Sequence, residues 1–165
     1  MHLSSHVVSQ SNSEFTRDAA NEWPEGFSAS LGHALAGIPK QLGLPSVAKF
    51  RVVVEGQPRE LRSALREEVY RITREAILNA YRHSRARDIE TEIEYRPSEL
   101  RVAVRDNGCG IDPKHLASER TGRWGLQGMR ERADRIGARL RVLSRIALGT
   151  EVELCVPGRV AFEHC

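Results

Sequence analysis

Residues 74–84 read Arg-Glu-Ala-Ile-Leu-Asn-Ala-Tyr-Arg-His-Ser, and the rest of the predicted fold is arranged around this segment. Except for Ser84, it lies inside the longest helical pattern of the chain, residues 61–83, in which apolar residues recur at spacings of three and four. Glu75, Asn79 and His83 follow one another at intervals of four, so they share one helix face beside the apolar stripe. The oxygen atoms of a carboxylate and an amide there can hold a hydrated Mg²⁺. An exposed polar helix edge gives the same pattern, so the helix alone leaves both interpretations open.

Alternating apolar and polar residues predict five strands around this helix. The first alternation begins at Phe50, and the second and third form a hairpin that turns at Pro97. Two more close the chain, at residues 140–142 and 152–156, after a second helical pattern at residues 126–136. The sequence therefore predicts an α/β (α+β) two-layer sandwich. Its sheet is mixed and mostly antiparallel, has about five strands, and is covered on one face by two or three helices.

Composition divides the chain near residue 45. Residues 1–13 are rich in Ser, His and Asn and have no period, which predicts disorder. We interpret residues 1–45 as an N-terminal segment that is partly disordered, or a linker or remnant of an upstream region. Residues 46–160 are then the folded domain, and residues 161–165 are a tail.

Composition and charge exclude several classes of protein. With 165 residues, 40% of them apolar, the chain can bury one core, and no apolar run approaches the ~20 residues that cross a bilayer. Three cysteines without a CxxC pair argue against a disulfide framework or a zinc site and fit a reducing cytosol. The net charge of +3 comes from 22 Arg and three Lys interleaved with Asp and Glu, which is typical of solvated helix faces. We therefore expect no nucleic-acid binding and no membrane contact.

The strand that ends at Asp106 carries a second candidate site. Leu100, Val102 and Val104 point inward, so the period of two turns the Asp106 carboxylate inward as well. A buried carboxylate is costly unless another group hydrogen-bonds to it, and the glycines at 108 and 110 let the backbone approach a ligand closely. An ordinary β-turn explains the same residues, and this segment alone does not decide between the two.

Glycine-rich segments farther along the chain form a third candidate site. Residues 122–129, Gly-Arg-Trp-Gly-Leu-Gln-Gly-Met, place glycines just before and inside the start of a helix, where free backbone N–H groups favour phosphate. Gly149 and Thr150 open the last strand. The chain has no Walker-type GxxxxGK(S/T) motif, so it is not a P-loop protein.

In order and spacing, residues 74–84, 106–110, 125–129 and 149–150 closely resemble the N box and the successive glycine boxes of the GHKL ATP-binding (HATPase) superfamily. That superfamily includes sensor histidine kinases, DNA gyrase, mismatch-repair ATPases and a heat-shock chaperone. The runs Glu-x-x-x-Asn-x-x-x-His and Gly-Leu-x-Gly-Met-x-Glu-Arg are similar to those of bacterial two-component sensor kinases that pair with helix-turn-helix response regulators. The resemblance covers residues 50–158 and implies a Bergerat-type fold.

The resemblance also implies a role for each motif residue. Asp106 would accept a hydrogen bond from the adenine amino group and share a water with Thr150. Asn79 would ligate the Mg²⁺ that bridges the ATP phosphates, and Glu75 would be the catalytic residue that organises or activates the reacting group. Residues 112–124 would form a mobile lid. The other implied nucleotide-binding residues are Arg82, His83, Gly108, Gly110, Gly122, Gly125, Leu126, Gly128 and Met129.

A phospho-accepting histidine is missing from this pattern. In the resembled kinases an acidic residue normally follows the acceptor, and no histidine here has one: His2, His6, His33, His83, His115 and His164. The resemblance therefore implies a catalytic domain that transfers the γ-phosphoryl group of ATP to a histidine on a dimerisation domain absent from this chain, in two-component signal transduction. Its implied partners are that dimerisation (histidine-phosphotransfer) domain and a response regulator. Its implied state is a monomer in the cytoplasm, either by itself or as the cytoplasmic part of a membrane-anchored kinase.

Two other functions fit the same residues. One is an anti-sigma-type serine kinase of the same superfamily, against which the His83 spacing and the Gly-Leu-x-Gly-Met run argue. The other is a stand-alone module that senses nucleotide or docks a partner without turnover. Glu75 and Asn79 argue against such a module, whereas the missing acceptor favours it.

Overall fold

The computed structural model describes residues 5–8, 30–117 and 125–163. Its longest element is a helix of 21 residues that carries Glu75 and Asn79, as the sequence predicts. Among the residues that the structure describes, each helix is too short or too polar to span a bilayer. In chain order the elements are β1 (Ser5–Val8), α1 (Leu31–Ala36), α2 (Ile38–Gln41), β2 (Lys49–Glu55), α3 (Ser63–His83), β3 (Asp88–Tyr95), β4 (Glu99–Asp106), α4 (Pro113–Ala117), α5 (Leu126–Arg135), β5 (Arg139–Arg145), β6 (Gly149–Pro157) and α6 (Gly158–Ala161).

The strands form one sheet in the order β1-β2-β3-β4-β6-β5. The β2–β3 pair is parallel and the other pairs are antiparallel, which confirms the predicted mixed, mostly antiparallel sheet. Five of the strands are those that the sequence predicts. The additional strand, β1, pairs with β2 from within residues 1–13, where composition predicts disorder. Ser5–Val8 has four residues, too few for a recognisable alternation of apolar and polar residues, so the sequence does not signal this strand.

Alternation along the strands gives the sheet two different faces. Side chains of one register, among them Val52, Ile93 and Leu154, are buried beneath α1, α3 and α5. The apolar stripe of α3, which runs from Leu65 to Ala80, packs into this core. We call this side of the sheet the covered face.

The opposite register forms the open face, which carries ion pairs. Arg101 donates to Glu92 at 3.0 Å and to Glu153 at 2.7 Å, and Arg105 donates to Glu92 at 2.6 Å and to Glu151. Burial raises the pKa of Glu92, but hydrogen bonds from Arg105 and Arg101 outweigh it and leave that pKa below its usual value. The open face is thus tied together by charge-assisted hydrogen bonds across β3, β4 and β6.

At one end of the sheet the covered face becomes polar. Asp106 is the last residue of β4 and pairs with Thr150 at the start of β6. As the strand alternation predicts, Asp106 follows Val102 and Val104 in the inward register. The end of the sheet beneath α3 therefore combines a core wall with polar side chains.

Candidate nucleotide-binding site

A cavity opens at this end of the covered face, among α3, β4, β6 and the start of α5. It holds about 400 Å³ of empty space, part of it open to solvent. Apolar side chains, including Val104, Ile111 and Val152, form much of its wall. Five residues predicted from the sequence also line it: Asn79, Asp106, Gly110, Leu126 and Thr150.

Asp106 brings a carboxylate into the cavity wall. Its Oδ1 accepts a hydrogen bond from the backbone N–H of Gly108 at 2.9 Å, and the backbone N–H of Thr150 also bonds to the carboxylate. Burial raises the pKa of Asp106 above its ordinary value of 3.8, and these two hydrogen bonds offset that effect only in part. A carboxylate has about four lone-pair positions, so acceptor capacity remains for a donor on a ligand.

Two glycines allow the tight backbone packing around Asp106. Gly149 has φ +99°, and a Cβ there would lie 1.9 Å from the carbonyl oxygen of Asp106. Gly110 has φ +71°, and a Cβ there would lie 2.1 Å from the carbonyl oxygen of Arg145. Only glycine fits at such distances. The loop after β4 and the β5–β6 hairpin therefore touch through their backbones.

Ser144 on β5, which is not among the site residues predicted from the sequence, joins the same two segments. Its Oγ accepts a hydrogen bond from the backbone N–H of Ile111 at 2.8 Å. The same Oγ lies 2.8 Å from Thr150 Oγ1 and 3.1 Å from the carbonyl oxygen of Gly149. The period of two that directs Asp106 inward also directs Ser144 inward, so strand alternation was the signal that could have found it.

Asn107 anchors the turn that follows β4. Its Oδ1 accepts hydrogen bonds from the backbone N–H groups of Arg87 and Asp88, both at 3.0 Å, and its Nδ2 donates to the Asp88 carboxylate at 2.8 Å. These bonds fasten the end of β4 to the start of β3. The Asn-Gly pair after a strand was the sequence signal for such a turn.

Glu75 lies against Gly125 at the start of α5, one residue before the cavity-lining Leu126. A Cβ at Gly125 would approach Glu75 Oε1 to 2.6 Å, so the carboxylate and the backbone at position 125 are in close contact. Gly128, one turn into α5, is exposed and has open space beside it. Asn79, one turn along α3 from Glu75, reaches the cavity wall. A carboxylate, an amide and a helix N-terminus thus lie together on the side of the cavity formed by α3 and α5.

The remaining predicted residues lie apart from the cavity wall. On the last turn of α3, Arg82 is exposed and His83 is half-buried. Met129 is 1% exposed and belongs to the core, so it supports α5 from beneath. Gly122 lies outside the described residues, as do residues 118–124 of the predicted lid; the described part of that segment contains α4.

The cavity of this two-layer sandwich joins an acidic strand end to a Glu–Asn helix face and a glycine-flanked helix start. This arrangement defines a nucleotide-binding domain of the GHKL class. Residues 64–160 match the model of the family described as histidine kinase-, DNA gyrase B- and HSP90-like ATPases. The chain belongs to this family.

Curated relatives of this chain are sensor kinases. The chain is 33% identical over 130 residues to the sensor protein VraS of Staphylococcus epidermidis, a match that covers 78% of this chain and 35% of VraS. It is 30% identical over 108 residues to the signal transduction histidine-protein kinase/phosphatase DegS of Bacillus subtilis, covering 66% of this chain and 28% of DegS. The chain thus spans about a third of the length of the curated relatives it matches.

Solved structures of histidine kinases share the fold. The blue-light activated histidine kinase of Erythrobacter litoralis EL346 matches with a TM-score of 0.62 and 23% identity, over 78% of this chain and 42% of that chain. The catalytic domain of histidine kinase ThkA matches with a TM-score of 0.57 and 17% identity, over 78% of this chain and 90% of that chain. Together the comparisons confirm the predicted superfamily, the fold class and the assignment as a histidine-kinase ATP-binding domain.

Proposed function

We propose that this domain binds ATP in the cavity and transfers the γ-phosphoryl group to a histidine on a dimerisation domain outside this chain. The observation that carries the proposal is the meeting of Asp106, Thr150 and Asn79 in one cavity wall. A base-reading end and a phosphate-binding end within one cavity suit a nucleoside triphosphate. The names of the relatives, a sensor protein and a signal transduction histidine-protein kinase, support this class of reaction.

At the inner end of the cavity, Asp106 accepts a hydrogen bond from the adenine amino group, and Thr150 completes the contact through a shared water. The apolar wall, which includes Val104, Ile111 and Val152, flanks the ring of the base. Burial raises the pKa of Asp106, and a carboxylate withdrawn from water in this way gains more from a ligand donor than an exposed one does.

Beside Glu75, the side-chain oxygen of Asn79 would hold a Mg²⁺ ion for the ATP phosphates. These donors fit the ion, because Mg²⁺ takes carboxylate, amide and phosphate oxygens. When bound, the ion neutralises charge on the phosphates. Gly125 and Gly128 leave the backbone N–H groups at the start of α5 open to the same phosphates.

The reaction is a phosphoryl transfer catalysed by positioning. The bond between the γ-phosphorus and the bridging oxygen of ADP breaks as a bond from an imidazole nitrogen forms, and ADP leaves with that oxygen. Glu75 orients the attacking imidazole, while Arg82 and His83 bind the nucleotide from the end of α3. Holding the reactants in line removes most of the entropic barrier.

The acceptor histidine comes from another domain. His33 is exposed on α1, where its Nδ1 lies 2.9 Å from Ser30 Oγ, and Ala34 rather than an acidic residue follows it. His83 belongs to the site, and His115 lies on α4 in the proposed lid. We therefore propose, as partners, a dimerisation domain that carries the acceptor and a response regulator of the helix-turn-helix type. The domain itself is monomeric and acts in the cytoplasm.

Phosphotransfer to a supplied acceptor tests the proposal. The chain is incubated with γ-labelled ATP and Mg²⁺, alone and with a dimerisation domain from a sensor kinase. We expect no label on the chain alone and an acid-labile, base-stable label on the added histidine. Glu75→Gln should retain nucleotide binding and abolish the transfer, and Asn79→Ala should remove the dependence of ATP binding on Mg²⁺.

Glu67→Gln is the matched control, because Glu67 lies on α3 and pairs with Arg71 at 3.7 Å instead of reaching the cavity. It should transfer at the normal rate. Normal transfer by Glu75→Gln would refute the catalytic role of Glu75. ATP binding without transfer to any dimerisation domain would favour the nucleotide-sensing module, and a label on the chain that disappears in His33→Gln would make α1 an acceptor helix.

A further inference from the structure

The central rows of the open face carry charges that alternate in sign from strand to strand. Glutamates stand on β3 and β6, and arginines stand on β4 and β5. In the order of the strands across the sheet, these residues are Glu90, Glu92 and Glu94, then Arg101 and Arg105, then Glu151 and Glu153, then Arg139, Arg141 and Arg145. Opposite charges on neighbouring strands stabilise a sheet, so each of these strands matches the next.

The two basic strands differ in their number of acidic neighbours. β4 lies between β3 and β6, and its arginines form ion pairs with glutamates on both sides. β5 is the last strand of the sheet, and β6 is its one neighbour among the residues that the structure describes. Arg141 lies 3.6 Å from Glu153 on β6, whereas the exposed Arg145 forms no ion pair within the described ranges. The charge alternation is thus incomplete on the outer side of β5.

The backbone and the apolar side chains of β5 are open on the same side. In an antiparallel pair, alternate residues direct their N–H and C=O groups away from the partner strand, so the seven residues Arg139–Arg145 present donors and acceptors at the sheet edge. Leu140 and Val142 are only partly buried at the margin of the core. A further strand would pair with these backbone groups and cover these side chains.

Exposed apolar residues are concentrated in the same hairpin. Among the described residues four large apolar side chains are exposed, and three of them lie on β5 or in the turn after it: Leu143, Ile146 and Leu148. Leu143 is 51% exposed between Arg141 and Arg145 on the open face. Charges on an edge strand can serve only to prevent pairing, but that role does not explain a leucine exposed between them.

We propose that the outer edge of β5 is a strand-addition site for a partner protein, whose extended segment alternates acidic and apolar side chains. The acidic side chains lie opposite the arginines of β5 and continue the charge alternation of the open face. The apolar side chains point to the other face and cover Leu140 and Val142. A second copy of β5 does not fit this edge, because it places arginines opposite arginines.

The chain itself supplies a probe with this chemistry. Residues 88–95, Asp-Ile-Glu-Thr-Glu-Ile-Glu-Tyr, alternate in the required way, and a synthetic peptide of that sequence stands in for the partner segment. The full 165-residue chain, isotopically labelled, is titrated with the peptide to about 1 mM and followed by NMR. We expect the largest amide shifts in β5, together with slower hydrogen exchange at alternate β5 amides.

Variants of the chain test the charge match. Arg141→Gln/Arg145→Gln should weaken peptide binding by about threefold to tenfold, the worth of one or two exposed ion pairs. Arg159→Gln, at an exposed position on α6, is the matched control and should leave binding unchanged. Arg141→Glu/Arg145→Glu should reject the acidic peptide and bind a peptide with lysine at its four acidic positions.

A modified peptide tests the backbone pairing. With every backbone nitrogen methylated, the peptide keeps its charges but cannot donate hydrogen bonds to β5, so it should not bind. Undiminished binding of this peptide would reduce the interaction to charge attraction and overturn the proposal.

Three other outcomes would also overturn it. The first is the absence of β5 shifts at about 1 mM peptide, or shifts confined to other strands. The second is equal peptide affinity of the parent and Arg141→Gln/Arg145→Gln, a comparison that still holds if the glutamate variant fails to fold. The third is a change of the β5 amide shifts with protein concentration in the absence of peptide, which would make a second copy of the chain the occupant.

Discussion

The two faces of the sheet shift the pKa values of their carboxylates in opposite directions. On the open face, hydrogen bonds from arginines outweigh burial and lower the pKa of Glu92. On the covered face, burial outweighs two backbone hydrogen bonds and raises the pKa of Asp106. The folded state therefore favours the charged form of Glu92 and disfavours that of Asp106. A carboxylate that costs stability and lies in a cavity is a candidate for ligand recognition, whereas the paired carboxylates stabilise the sheet.

The largest expected effect concerns the backbone contact that encloses Asp106. Gly149→Ala should destabilise the fold by about 3–5 kcal/mol, because the new Cβ combines a positive φ with an overlap on the Asp106 carbonyl oxygen. Gly137→Ala is the matched control, since Gly137 also has a positive φ but open space beside it. It should cost about 1–2 kcal/mol. Equal losses in urea unfolding would show that the contact at Gly149 is relaxed in solution.

Asp106→Asn should separate ligand binding from stability. Loss of the charged acceptor should weaken ADP binding by about 1–3 kcal/mol, or roughly 5–150-fold, in calorimetric titration. The melting temperature without nucleotide should not fall. The pKa of Asp106 is higher in the folded than in the unfolded protein, so the protonated carboxyl stabilises the fold at a pH below the unfolded pKa. This stabilisation is lost as the pH rises through the folded pKa. The control is Asp134→Asn, at an exposed position on α5, which should change neither the ADP affinity nor the melting temperature. If the parent protein and Asp106→Asn bind ADP equally well, Asp106 does not contact the adenine.

Arg101→Ala should have the converse effect on the open face. It removes the hydrogen bond to Glu153 and one of the two arginine donors of Glu92, so the free energy of unfolding should fall by about 1–2 kcal/mol while ADP affinity stays unchanged. In the parent protein the pKa values of both glutamates are lower than their ordinary value of about 4.5. The two carboxylates therefore stabilise the fold above about pH 4.5, and this stabilisation is lost as the pH falls through the lower folded pKa values.

This acid-side loss should be smaller in Arg101→Ala, as unfolding measured between pH 7 and pH 3 would show. An Arg101→Ala protein that is as stable as the parent at pH 7 would mean that the open-face ion pairs are energetically neutral.

The smallest expected effect is a gain in stability from the covered face. Thr91 is fully buried, and within the described residues its hydroxyl has no hydrogen-bond partner. Thr91→Val keeps the shape and removes that polar group, so it should raise the free energy of unfolding by about 1 kcal/mol. Thr73→Val is the control, because the buried hydroxyl of Thr73 donates to the carbonyl oxygen of Val69 at 2.8 Å; it should give no gain. Equal effects of the two changes would mean that Thr91 has a partner after all.

Sequence patterns predicted most of the fold and part of the site. Strand alternation predicts the inward direction of Asp106, and helical spacing predicts the position of Asn79, because both patterns depend only on local geometry. Both residues line one cavity in the structure. The contact of Ser144 with Ile111 could not be predicted in the same way, because it depends on how the β5–β6 hairpin packs against the loop after β4. The motif implies that Met129 contacts the nucleotide. Its burial in the core depends on tertiary packing, which the motif does not encode.

The side chain of Asn107 has a kinetic consequence. Three hydrogen bonds between this side chain and Arg87 and Asp88 hold the turn after β4 against the start of β3. Little conformational entropy is therefore left to lose at the base end when a nucleotide enters. Association should not wait for that turn to order, and substitutions around Asp106 should change how long a nucleotide stays rather than how fast it arrives.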